Sequence, residues 1–92
     1  MELPYVVLMA SYPGAGPEEV EKRVTRILES AISGVSGIEQ VGSTSTSGSS
    51  IVYIQFLFGT NMDEAMNDVR ASLDFVKRAL PDEVTTPMII KM

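Results

Sequence analysis

Between Phe58 and Leu80 the chain reads FGTNMDEAMNDVRASLDFVKRAL, and within it Met62, Met66, Val69, Leu73, Val76 and Leu80 recur at alternating spacings of four and three. Apolar residues at that period line one side of an α-helix. Thr60, followed three residues later by Asp63, reads as a capping box at the helix start. Pro81 stops the helix. A second row, Ala65, Asp68, Ser72, Phe75 and Ala79, runs roughly 90° around from the stripe at about 100° per residue. A helix lying on a sheet needs only one apolar stripe. The second row, mostly small but with one Asp and one Phe, predicts another packing partner on that side.

The remaining segments fall into place around this helix. Leu3 to Ser11, LPYVVLMAS, is β-branched and aromatic, and the turn signal YPGAG follows it, so it predicts a strand. Gly16 as N-cap, Pro17 at the first helical position and Glu18, Glu19 and Glu21 in the first turn predict a helix. Its buried stripe is Val20, Val24, Ile27, Leu28, Ala31 and Ile32, with Gly34 as the stop. Ile38 to Thr46 reads as a weakly hydrophobic strand, Ser47 to Ser49 as a turn, and Ile51 to Phe58 as the strongest strand. A polar loop from Pro81 to Pro87 leads to a short closing strand, Met88 to Met92. The order β-α-β-β-α-β predicts an α+β, ferredoxin-like two-layer sandwich: a four-stranded, mainly antiparallel sheet with two helices on one face. The 92 residues make a single domain with room for one core.

Period-two alternation divides each strand between the two faces. If Val52, Ile54 and Phe56 face the helices, Ile51, Tyr53 and Gln55 face away. Tyr5, Val7 and Met9 share one side of the first strand, and Met88, Ile90 and Met92 one side of the last. The helix-free face is therefore apolar, beyond the few hundred Å² that monomers tolerate, and predicts a partner or a ligand.

Composition excludes several classes of chemistry. With no cysteine and no histidine, thiol catalysis, disulfides, the commonest general base and most transition-metal ligand sets are ruled out. A net charge of −5 without a basic stripe excludes nucleic acid as a partner. Apolar runs such as Tyr5 to Ala10 are too short to span a bilayer, and no secretory signal is visible. Gly14-Ala15-Gly16 lacks the third glycine of a dinucleotide loop and is followed by glutamates that repel phosphate, so it reads as an ordinary turn. Asp63, Glu64 and Asp68 read as helix-start and solvated acids, and Arg70 as a surface residue paired with a neighbouring acid. Met9, Met88 and Met92 could place thioethers, soft ligands for copper(I), on one sheet face, although core or interface filling is the commoner use of methionine. An autonomous ferredoxin-like regulator that binds a small ligand or metal and dimerises through its sheet would need a self-contained polar pocket, which is not evident. A small phosphatase would need an Arg-bearing anion loop where YPGAGPEE has acids.

Four stretches in order, SYPGAGPEEVEKRVTRILE, VSGIEQVGSTSTSGSS, FGTNMDEAMNDVRASLDFVKRALP and TPMIIK, resemble the first porter subdomain of the resistance-nodulation-division efflux pumps. The resemblance is greatest to the hydrophobe/amphiphile exporter branch and covers nearly the whole chain. It implies that residues 1–92 are one porter subdomain, a fragment of a much longer, proton-driven bacterial inner-membrane transporter. The fragment would lie outside the cytoplasm, carry no cofactor or metal and perform no bond chemistry. Its partners would be the other porter subdomains, trimer mates and hydrophobic or amphiphilic small molecules. By the same resemblance, the helix after Gly59-Thr60 lines a central trimer pore, which gives Ala65, Asp68, Ser72, Phe75 and Ala79 a contact role. Met9, Ile51, Met88 and Ile90 match substrate-pocket wall positions, all apolar here. The heavy-metal branch, for copper or silver, is the alternative, but Asn61 to Met66 does not match its pattern after Gly-Thr-Asp. Isolated, the fragment is expected to self-associate through the sheet face or a free strand edge.

Overall fold

A computed structural model describes residues 4–92, so Leu3 of the expected first strand lies outside the described residues. The elements are β1 (Tyr5–Ser11), α1 (residues 17–32), β2 (Ile38–Thr46), β3 (Ser49–Phe56), α2 (Met62–Val76, prolonged by a 3-10 turn over Lys77–Ala79) and β4 (Met88–Lys91). They form one sheet of order β2-β3-β1-β4, and every neighbouring pair is antiparallel. This is the ferredoxin-like arrangement, because each β-α-β unit leaves a gap that the other unit's strand fills.

One core joins sheet and helices. Val6, Leu8 and Ala10 of β1 and Val52, Ile54 and Phe56 of β3 point into it and meet Val20, Val24, Leu28 and Ile32 of α1 and Ala65, Val69 and Leu73 of α2. In both central strands these residues alternate with more exposed ones, as a sheet covered on one side requires. Gly16 is the N-cap of α1 with Pro17 just inside it, as its missing N–H permits.

Four local expectations are corrected. The β2–β3 turn is shorter than Ser47 to Ser49: Thr46 pairs with Ser49, leaving Ser47 and Gly48, and only Gly48 takes a left-handed φ, +73°. β3 accordingly starts at Ser49 and ends at Phe56. Leu57 and Phe58 leave the sheet as the chain turns through Gly59 (φ +87°). That turn moves the start of α2. Its N-cap is Asn61, whose Oδ1 accepts from the Glu64 N–H at 3.1 Å, and not Thr60, whose own N–H bonds back to the Leu57 carbonyl. At the end of α1 the left-handed glycine is Gly37 (φ +85°) and not Gly34. The turn after Ile32 is closed instead by Ser33, whose N–H and hydroxyl both donate to the Ser30 carbonyl.

The loops are tied to the sheet at one end. The Tyr12 N–H donates to the Gly48 carbonyl and the Gly48 N–H to the Ala15 carbonyl, locking the β1–α1 loop to the hairpin tip. Ser11 and Thr85 bond reciprocally, the Thr85 N–H to the Ser11 carbonyl and the Ser11 N–H to Thr85 Oγ1. Among the described residues no helix is long and apolar enough to cross a membrane.

Candidate functional site

The helix-free face of the sheet is built row by row from the strand register. Opposed residues in a sheet project to the same side. One row runs Met88, Met9, Ile51, Thr44 across β4, β1, β3 and β2. The next runs Ile90, Val7, Tyr53, Gly42, and a third carries Tyr5, Gln55 and Gln40. Met9, Ile51, Met88 and Ile90, expected on one face, are thus brought together, three of them in one row. Met88 is 61% exposed, Tyr53 46% and Met9 39%, while Ile51 and Ile90 are half-buried between them.

The face changes character across its width. β4 and β1 contribute thioethers and branched aliphatics, whereas β2 contributes Gln40, Gly42, Thr44 and Thr46. At the far end Gln55 donates from Nε2 to Glu39 Oε2 at 3.0 Å. An apolar floor bordered by uncharged hydrogen-bonding groups suits ligands with little charge and adaptable shape. Two thioethers, Met9 and Met88, stand directly opposite each other. No group of three or more His, Cys, Asp or Glu able to hold a metal occurs among the described residues.

The second row of α2 divides. Ala65 is 3% exposed and belongs to the core, so it is not part of a contact surface. Its position, roughly 80° from Leu73 at about 100° per residue, turns it inward beside Val69. Asp68 and Ala79 are exposed, Ser72 is half-buried, and Phe75 stands 90% exposed. Ser72 and Phe75 border a hollow of about 570 Å³ between the helices, whose other wall includes Ser30, Ala31, Ser33 and Gly34 of α1. Arg70 is on the surface as expected, but its partner is an amide: Nη1 donates to Asn67 Oδ1 at 3.3 Å. Among the described residues the ion pairs lie on α1, Arg23 with Glu19 at 3.3 Å and Arg26 with Glu21 at 3.0 Å.

One group was not anticipated from the sequence. Thr25, fully buried in α1, places Oγ1 2.7 Å from Ser50 Oγ and 2.7 Å from Ser45 Oγ, directly behind the open face. A threonine beside Val24 in an amphipathic helix reads as a surface residue, and its only trace in the sequence is the polar run of β2 that needs a partner.

The profile of the AcrB/AcrD/AcrF family matches residues 1–92. The swarming motility protein SwrC of Bacillus subtilis (strain 168) is similar, at 34% identity over 89 residues, which is 97% of this chain and 8% of that protein. The chain thus spans a small part of the length of its curated relative. With the whole chain matched by that profile and a relative 34% identical over 97% of it, the chain belongs to the AcrB/AcrD/AcrF family of resistance-nodulation-division transport proteins.

Proposed function

We propose that this chain is the first porter subdomain of a transporter that exports hydrophobic or amphiphilic compounds across the bacterial inner membrane, and that it lies on the extracytoplasmic side. It binds and gates, and carries out no bond chemistry. The open sheet face forms part of the substrate pocket wall, and the outer side of α2, with Asp68, Ser72, Phe75 and Ala79, faces trimer mates around a pore. Rigid-body movement of such subdomains opens and closes the pocket by alternating access.

The observation that supports this reading most is the apolar row Met88, Met9, Ile51 on a face that no element among the described residues covers. A side chain there gains by being covered, and a wall of methionine and isoleucine adapts to varied apolar shapes. The test is made in the full-length transporter with Met9→Asp and Ile51→Asp, reading resistance to a panel of amphiphiles at matched protein levels. Lost or altered resistance is expected, since a carboxylate in the row is desolvated whenever substrate binds. Unchanged resistance to every compound would overturn the pocket assignment. A fall in copper or silver tolerance instead would make the Met9–Met88 pair a metal site.

A further inference from the structure

α1 contains a π turn over Glu21–Thr25, in which the Arg26 N–H donates to the Glu21 carbonyl five residues back. The stripe explains it. Val20, Val24, Leu28 and Ile32 are all fully buried at strict four-residue spacing, and in an unbroken α-helix each such step drifts by about 40° around the axis. A wider turn removes most of that drift. It also brings two consecutive residues, Val24 and Thr25, into the buried side. The Thr25 hydroxyl, with one proton and two lone pairs, serves both Ser45 and Ser50, which are themselves cross-strand partners.

β2 needs such a contact. It is an edge strand, and its sequence IEQVGSTST is polar on both faces beyond Val41, with Ser43 and Ser45 toward the helices and Gly42, Thr44 and Thr46 toward the open side. Beyond Val41 a one-residue slip would therefore expose no apolar set, and over that stretch the hydrophobic pattern does not hold the register. We propose that Thr25 is a positioning residue: from behind the sheet it pins Ser45 and Ser50, and so holds Thr44 beside Ile51 on the open face. The consequence for ligand binding rests on the pocket-wall reading above, whereas the pinning of β2 does not.

The experiment is amide hydrogen exchange by NMR on the 92-residue chain, with four variants. Ser45→Ala removes the edge bond while Thr25 keeps Ser50. Ser43→Ala lies on the same strand and side without a side-chain bond and is the control. Thr25→Val removes both bonds, and Thr25→Ser keeps the hydroxyl. Amides joining β2 to β3 should exchange roughly tenfold faster in Ser45→Ala and Thr25→Val, the scale of one net hydrogen bond, with β1 amides changing less. Ser43→Ala and Thr25→Ser should stay close to wild type. Unchanged β2 protection, or an equal loss in all strands, would overturn the proposal; if Thr25→Val does not fold, Ser45→Ala decides.

The same substitutions are then placed in the full-length transporter, which is titrated with the fluorescent amphiphile N-phenyl-1-naphthylamine. Several-fold weaker binding in Ser45→Ala than in Ser43→Ala extends the role of Thr25 to the site. Equal binding despite a loosened β2 refutes that extension. Failure of the wild-type transporter to bind the probe counts against the pocket-wall reading, while the exchange result still judges Thr25.

Discussion

Asn61 and Gly37 show how single residues set the entrance to α2. Asn61 satisfies the Glu64 N–H, so Asn61→Ala should cost about 1 kcal/mol, whereas Thr60→Ala, which removes no cap bond, should cost less than half of that. Urea unfolding of both variants checks the assignment, and the reverse order would return the cap to Thr60. Gly37 combines φ +85° with the Thr60 side chain, whose Oγ1 would lie 3.2 Å from an added Cβ. Gly37→Ala should therefore destabilise by roughly 1–2 kcal/mol. Gly34, with open space around it and no left-handed φ, should accept Ala with no loss, or a gain of up to about 1 kcal/mol from the stiffer unfolded chain. Thr60 and Asp63 have capping-box spacing, but one residue of turn through Gly59 moved the cap to Asn61, a shift that local spacing does not encode.

At the scale of elements, α2 presents two unequal sides. Leu73 is buried in the common core, and Leu73→Ala should cost roughly 2–5 kcal/mol, while Phe75→Ala should change stability by no more than about 0.5 kcal/mol. Thermal melts of the two variants separate core from surface. A large loss at Phe75 would mean that its ring is covered in the chain by itself. The stripe Met62 to Leu80 was legible because a period of three and four is a property of the helix alone. Ala65 was misplaced because a small residue between two faces can belong to either, and only packing in the folded chain buries it. In α1 the four-residue stripe was legible but the π turn was not. Its need arises only when all four stripe residues must meet the same flat sheet.

At the scale of the molecule, β1 and β3 occupy the centre of the sheet, and their outward residues form an apolar field that no element among the described residues covers. The isolated chain should self-associate through this field. Sedimentation velocity should show mass rising with concentration, and Tyr53→Lys with Met88→Lys should return it to monomer, because two like charges at the centre oppose stacking. A chain that stays monomeric at high concentration, or a double variant that associates equally, would move the contact to α2 or to a strand edge. The small residues and bare Phe75 of α2 make that helix the next surface to examine by the same method.

The sequence by itself determined the order of elements and which residues of each strand share a side, because these follow from periods of two and 3.6 and from turn residues. The rows across the sheet, the burial of Ala65 and the hydroxyl bonds of Thr25 to Ser45 and Ser50 were decided only by the tertiary structure. Each depends on which element lies opposite, and β2, polar on both faces beyond Val41, carries no apolar pattern over that stretch from which its register could be read. Its register is set by contact with α1 and the hairpin tip, at a distance along the chain that local chemistry does not span.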